Sequence, residues 1–158
     1  MKARIVFASM TGNDEDMAEI LEENLQDAGF DVENIDVSFA DASSYLDADL
    51  CVMITYTYGE GVMTDELKDF YDQLITLDLS GKKFAVMGSG DKTYKDHYCE
   101  NVDDFEKAFI KCGAIEAVYV LCTFLKDRAF YYLPKNNNKN ATDTTITPII
   151  PTMSFEFS

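Results

Sequence analysis

Basic residues are scarce in this chain. Its 158 residues contain 13 lysines and arginines against 29 aspartates and glutamates, so the formal net charge is −16. This charge argues against nucleic acid and against an anionic membrane as partners, because both are polyanions. It favours protein partners that present a basic docking face.

Long apolar runs, histidines and paired cysteines are lacking as well. No apolar run approaches the ~20 residues of a membrane span, and the N-terminus has no apolar signal-peptide core. One histidine (His97) and no Cys/His cluster argue against a zinc site. Four cysteines stand singly, with no C-x-x-C pair: Cys51, Cys99, Cys112 and Cys122. These absences predict a metal-free protein of a reducing, cytoplasmic setting.

Short apolar runs alternate with helical patterns along the first part of the chain. Strands are predicted at 3–8, 30–37, 50–54, 84–87 and 117–122, and helices at 14–28, 64–75 and 101–112. Strands that alternate with helices form a parallel sheet covered on both faces. The second strand is the most polar and belongs at an edge. We therefore predict an α/β, doubly wound, five-stranded parallel sheet in the order 2-1-3-4-5.

The end of the chain departs from this pattern. A five-stranded doubly wound domain normally closes with another helix, but no final helix is recognisable in residues 134–158. We divide the chain into a domain at 1–133 and an atypical C-terminal tail at 134–158. Three interpretations stay open: an extended tail that packs its apolar residues, a disordered polar tail, or a sequence altered at its end.

One turn stands out at the first strand-to-helix junction. Residues 9–14 read Ser-Met-Thr-Gly-Asn-Asp, and no lysine or arginine occurs from position 5 through position 16. Such a turn directs backbone N–H groups and the positive end of a helix at one point, which suits a phosphate. An ordinary capped turn without a ligand is the alternative, because Ser, Thr, Asn and Asp are common N-caps.

Two further loops are expected at the same edge of the sheet. Loop 55–63 holds Tyr58 beside Gly59 and Gly61, and loop 88–98 holds Tyr94 after two glycines. In this topology the three loops surround the switch point between strands 1 and 3, where ligands bind. Two aromatic faces above a phosphate cradle predict a slot for a flat ring with a phosphate tail.

These three loops, in this order and spacing, resemble the phosphate loop and the two flavin loops of flavodoxins. The resemblance extends from residue 3 to about residue 122, and the absence of a long insertion in the fifth strand makes it similar to the short-chain type. It implies one FMN, bound non-covalently. The cofactor-binding residues that it implies are Ser9, Met10, Thr11, Gly12, Asn13, Asp14, Thr57, Tyr58, Gly59, Glu60, Ser89, Gly90, Asp91, Tyr94 and Cys99.

The resemblance also assigns roles within this set. The phosphate would be held by backbone amides and by the side chains of Ser9, Thr11 and Asn13. Tyr58 and Tyr94 would cover opposite faces of the flavin ring. Gly59 would present its carbonyl to the flavin N5, and residues 89–91 would meet the polar edge of the ring. No nucleophile and base are paired around His97, so we expect no catalytic residue.

Asp14 departs from the family, which usually has a threonine at this position. An ionised carboxylate cannot donate a hydrogen bond and competes with a phosphate for the helix N-terminus. We expect the Asp14 side chain to point sideways at solvent and leave the amides free. We also expect Asp14→Thr to tighten FMN binding.

The function implied is a low-potential one-electron carrier that shuttles electrons between redox enzymes. Acidic surroundings without a nearby cation make the anionic reduced flavin costly, which favours a strong electron donor. The alternatives are a flavin-free or weakly flavin-binding interaction module, and an FMN-dependent activator or reductase on the same scaffold. A phospho-receiver domain would have clustered acids where this chain has residues 9–13.

Overall fold

The computed structural model describes residues 1–57, 59, 61–90, 99–117, 121–126, 129–133 and 147–148. Within these ranges there are eight strands: β1 (Lys2–Phe7), β2 (Asp31–Asp36), β3 (Leu50–Thr57), β4 (Lys83–Gly90), β5 (Ile115–Glu116), β6 (Leu121–Lys126), β7 (Ala129–Leu133) and β8 (Thr147–Pro148). The α-helices are α1 (Asn13–Asp27), α2 (Asp65–Leu74) and α3 (Glu100–Lys111), and short 3₁₀ turns lie at Val37–Phe39 and Ala42–Asp47.

All the strands belong to one sheet, in the order β2-β1-β3-β4-β6-β7-β8, with β5 also paired to β4. The pairs from β2 to β6 are parallel. The predicted order 2-1-3-4-5 is confirmed, with β5 and β6 sharing the fifth position. β3 is central because its residues are apolar on both faces, as a strand between two helical layers requires.

The structure differs from the predicted boundaries in the second half of the sheet. β3 and β4 continue for three residues beyond their apolar cores, so residues 55–57 and 88–90 are strand, not loop. The strand predicted at 117–122 was wrong in its bounds: its place is taken by β5 and β6. After β6 the chain turns back as β7, which pairs antiparallel with β6 and β8.

Each face of the sheet carries its own apolar core. On one face α1 covers β1, β3 and β4, with Met17, Leu21 and Leu25 buried against the strands. On the other face α2 and α3 pack through Phe70, Phe105 and Phe109, among others. The expected cover on both faces is therefore present. None of the helices within the described ranges is long and apolar enough to cross a membrane.

Gly88 brings β3, β4 and α3 into close contact. A Cβ atom at this position would lie 1.8 Å from the Thr55 carbonyl oxygen and 2.8 Å from a methyl group of Val102. No side chain fits there without a movement of the backbone. The absence of a side chain thus lets α3 approach the carboxyl end of the sheet, where all three candidate loops begin.

Candidate functional site

The turn after β1 forms an open cradle at the start of α1. Gly12 has φ 87°, a left-handed conformation that glycine adopts without strain, and no atom lies within 4 Å of its missing Cβ. Its N–H donates to the Ser9 hydroxyl oxygen at 3.0 Å. Because that oxygen acts as acceptor, the hydroxyl proton of Ser9 stays available to a ligand. The side chains of Thr11 and Asn13 are exposed.

Backbone donors are concentrated in this turn. Among the described residues, no acceptor contacts the N–H groups of Met10, Thr11, Asn13 or Glu15, whereas the N–H of Asp16 already closes the first helical turn onto Gly12. Unsatisfied N–H groups at a helix N-terminus carry partial positive charge and bind anions. The geometry of the turn therefore suits an anion held by neutral donors.

Asp14 lies inside the protein, against expectation. Its residue surface is 1% exposed, so the prediction of a side chain pointing at solvent was wrong. Its Oδ2 accepts a hydrogen bond from the Ser89 hydroxyl at 2.8 Å. This contact joins the first turn of α1 to the end of β4, across 75 residues of sequence. Nothing in the sequence pattern indicates that Ser89, at the end of β4, would be the hydrogen-bond partner of Asp14.

The environment of Asp14 disfavours its charged form. Burial raises the pKa of the Asp14 carboxyl from its usual 3.8 to about 6, although hydrogen bonds from the side chain and backbone of Ser89 and from its own backbone oppose the rise. Its Oδ1 is buried and has no hydrogen-bond partner in the part of the chain that the structure describes. A buried carboxylate with one unsatisfied oxygen is costly, which explains the direction of the shift.

The second loop starts from a firmly held strand end. Thr57 is nearly buried, and its hydroxyl oxygen accepts from the backbone N–H of Asn101 at 3.1 Å. The Asn101 side chain donates to the Tyr56 carbonyl at 2.9 Å. Thr57 therefore faces the protein and positions the loop. Gly59 and Gly61 follow with φ of 58° and 81°, both in the left-handed region.

The third loop is described only at its two ends. Ser89 and Gly90 close β4 and are half-buried, whereas Cys99 is buried and precedes α3 with an unusual φ of 56°. Cys99 is disulfide-bonded, a pairing that the spacing of the cysteines did not predict. It therefore offers no thiol to a ligand. Four of the predicted site residues lie outside the described residues: Tyr58, Glu60, Asp91 and Tyr94.

The site residues that are described meet at one edge of the sheet. A groove of about 320 Å³ lies beside the cradle, between residues 8–10 on one wall and residues 36–38 on the other, with Tyr56 and Thr64 in its lining. Asn101, Tyr56 and Thr64 belong to this region but were not predicted as site residues. Asparagine is common near helix starts, and only the fold shows that Asn101 bonds to β3.

Charge is distributed unevenly between the two edges of the sheet. The acidic residues Asp36, Asp65 and Glu66 lie with Asp14 and its neighbours at the edge that holds the candidate site. Most of the cations in the described part of the chain lie at or towards the opposite edge, namely Lys2, Arg4, Lys82, Lys83, Lys107 and Lys111. The exceptions are Lys68 in α2 and Lys126, which ends β6 at the carboxyl edge of the sheet. No group of three or more metal-ligating side chains occurs among the described residues.

Comparisons with known proteins agree with this architecture. The model of the flavodoxin family matches residues 5–125. The probable flavodoxin 1 of Bacillus subtilis (strain 168) is 38% identical over 118 residues, which cover 75% of this chain and 73% of that protein. The NADPH–cytochrome P450 reductase of Cavia porcellus is 39% identical over 98 residues, but these cover 14% of its length and 58% of this chain.

A solved structure is similar over the same region. The flavodoxin of Streptococcus pneumoniae TIGR4 is 46% identical to this chain, with a TM-score of 0.72, and the match covers 77% of this chain and 82% of that one. The similarity therefore includes the strands and helices that carry the three loops.

Proposed function

Since the chain belongs to the flavodoxin family, whose members bind FMN and carry electrons, we propose that its three loops form the FMN site of a one-electron carrier. The carrier passes electrons between redox enzymes and has no substrate chemistry of its own. The cradle at residues 9–13 is the observation that carries this proposal, because its amides and hydroxyls are arranged for a phosphate.

The residues present fit the phosphate end of FMN. The N–H groups of Met10, Thr11 and Asn13 lack acceptors among the described residues, and the left-handed Gly12 leaves open space beside them. Ser9, Thr11 and Asn13 would add side-chain donors to these amides. Such neutral donors hold a phosphate without bringing a cation near the flavin.

The other two loops would position the ring. The hydrogen bonds of Thr57 and Tyr56 to Asn101 fix the strand end before Gly59, whose left-handed backbone presents peptide groups without side-chain interference. Ser89 and Gly90 would meet the polar edge of the ring. By family resemblance, Tyr58 and Tyr94 would cover its faces and limit access of water. When bound, FMN supplies the one-electron chemistry.

The acidic edge suits the partners that we propose, which are redox enzymes with basic docking faces. Complementary charge speeds encounter and orients two proteins before contact. The match to part of a cytochrome P450 reductase fits a role beside other redox centres. We place this exchange in the cytoplasm, with neither nucleic acid nor membrane as partner.

Absorption spectroscopy tests the proposal directly. Purified protein is expected to be yellow and to release FMN on denaturation, and a redox titration should resolve two one-electron steps. Apoprotein should bind FMN more tightly than riboflavin, since riboflavin lacks the phosphate. Thr11→Val should weaken FMN binding several-fold and leave riboflavin binding unchanged. A colourless protein that fails to bind added FMN would contradict the proposal.

A further inference from the structure

A buried carboxyl group occupies the helix terminus at which the phosphate would bind. Asp14 belongs to the first turn of α1, and its residue surface is 1% exposed. The Ser89 hydroxyl donates to Oδ2 at 2.8 Å, whereas Oδ1 has no partner within hydrogen-bond distance among the described residues. This acceptor without a described partner lies beside backbone N–H donors without described acceptors. The arrangement points to a ligand whose binding changes the protonation state of the carboxyl group.

No cation whose side chain the structure describes pairs with this carboxylate. On its own helix it has Glu15 and Asp16 as neighbours, both exposed. The ends of β1, β3 and β4 present only uncharged groups in this direction, at residues 7–9, 55–57 and 88–90. The remaining charged and titratable groups of the third loop lie outside the described residues: Asp91, Lys92, Tyr94, Lys95, Asp96, His97 and Tyr98.

We propose that binding of the FMN phosphate is coupled to the uptake of one proton by the Asp14 carboxylate. The proposal rests on the proposed function, because it concerns the same site. A phosphate dianion and a carboxylate at one helix N-terminus repel each other in a partly buried setting. A proton from solvent removes this repulsion: it adds to the carboxylate, which becomes a neutral carboxyl group, and no other bond forms or breaks.

The structure lowers the free-energy cost of protonating Asp14. Burial raises the pKa of Asp14 to about 6 in the free protein. At neutral pH the neutral carboxyl group is therefore close in free energy to the charged carboxylate. A neighbouring dianion raises the pKa further. The new proton can reside on Oδ1, the oxygen without a partner, and the contact between Oδ2 and the Ser89 hydroxyl is then preserved.

The protonated group also regains a function that the family has at this position. An ionised carboxylate only accepts hydrogen bonds, but a carboxyl group carries one O–H donor. The family's usual threonine likewise offers one hydroxyl donor to the phosphate. In this chain that donor exists only when Asp14 is protonated. The FMN affinity is therefore expected to decrease as the pH rises above the pKa of free Asp14.

Titrations of apoprotein with FMN from pH 5.5 to 9 test the coupling. In the wild-type protein the dissociation constant should increase by about tenfold per pH unit above the Asp14 pKa, as one linked proton requires. In Asp14→Asn, which is isosteric and cannot ionise, this increase should be absent. The second ionisation of the FMN phosphate, near pH 6, affects both proteins equally and cancels in the ratio of their constants.

Calorimetry supplies an independent readout. At pH 7.5, binding enthalpies measured in buffers of different ionisation enthalpy should report about one proton taken up per FMN by the wild-type protein and about none by Asp14→Asn. Asp14→Thr serves as a second variant, with the same expected loss of proton uptake and tighter binding at pH 8. Riboflavin binding should be independent of pH in all three proteins.

The outcomes separate this inference from the proposed function. Equal pH profiles and equal proton uptake in wild-type protein and Asp14→Asn would overturn the coupling while leaving FMN binding intact. Failure of all three proteins to bind FMN at any pH in the range would overturn the proposed function itself, and the coupling with it.

Discussion

The hydroxyl oxygen of Thr57 accepts a hydrogen bond from the backbone N–H of Asn101 at 3.1 Å, so the end of β3 is attached to the first turn of α3. The Asn101 side chain reinforces this attachment through the Tyr56 carbonyl at 2.9 Å. Together these bonds fix the direction in which the chain leaves the sheet towards Gly59. Asn101 thus orders a candidate flavin loop without lying in it.

Replacement of Asn101 by alanine should loosen this loop. The variant loses the side-chain hydrogen bond to the Tyr56 carbonyl, which also accepts from the Thr55 hydroxyl at 3.3 Å, so the free energy of unfolding should fall by about 1 kcal/mol. FMN binding should weaken with it. Urea unfolding of the apoprotein measures the first effect, and Asn24→Ala is the matched control because Asn24 bonds only to Ile20 in its own helix. Equal losses in both variants would contradict the role of Asn101.

The contribution of Asp14 to the stability of the apoprotein should decrease as the pH rises from about 4 to about 6. Its pKa is higher in the folded protein, about 6, than the ordinary 3.8, so the folded state retains a proton that the unfolded state has lost. The stabilisation is therefore complete at low pH and is lost through this window. Two pKa units correspond to about 3 kcal/mol.

The variant Asp14→Asn isolates this contribution. It should unfold at higher urea concentration than the wild-type protein at pH 7, and the difference should disappear near pH 4. Asp16→Asn, at an exposed position two residues away, is the control and should change little at either pH. A difference between wild-type protein and Asp14→Asn that stays constant with pH would show that Asp14 does not ionise in a buried site.

Substitution of Gly88 by alanine should be strongly destabilising. The added Cβ would overlap the Thr55 carbonyl oxygen at 1.8 Å, so the backbone of β3 or β4 must move, at a cost of about 3 kcal/mol or more. Gly81→Ala is the control, because its φ of 80° is strained for alanine but the space around it is open. That strain costs about 1–2 kcal/mol. Thermal unfolding should rank the two variants in this order.

Neutralising acids at the site edge should slow electron transfer to a cationic acceptor. The double variant Asp65→Asn/Glu66→Gln removes two charges from the first turn of α2. Its reduced FMN form should react about twofold or more slowly with hexaammineruthenium(III) at low salt, and the difference should shrink at high salt. Glu23→Gln/Asp27→Asn removes the same charge at the opposite edge. An equal effect of both double variants would argue against docking at the site edge.

Periodicity predicted the elements of the first 112 residues well, because each strand there except the edge strand β2 is buried between helical layers and each helix has one apolar face. The apolar residues of β3 are an example: their unbroken run places the strand at the centre of the sheet. The order 2-1-3-4-5 followed from the polar β2 and from the handedness of crossovers, and the structure confirms it.

The errors arose where the outcome depends on contacts between distant residues. The burial of Asp14 is decided by Ser89, which reaches it only after the sheet has formed. The division of the fifth position between β5 and β6, and the return of the chain as β7, depend on pairing with β4 and β6. The local pattern of apolar and polar residues does not indicate which distant strands will pair. The division into a domain at 1–133 and a tail at 134–158 stays a prediction.

The separation of charge between the two edges of the sheet gives the described part of the molecule an electric dipole moment roughly parallel to its strands. Its negative end is the edge that holds the cradle, whereas at the opposite edge Lys2, Arg4, Lys82 and Lys83 offset the acids that lie among them, such as Asp47 and Asp49. In the field of an approaching basic protein, such a dipole experiences a torque before any contact is made. The molecule therefore arrives with its candidate cofactor edge foremost in a larger fraction of encounters than random tumbling would give.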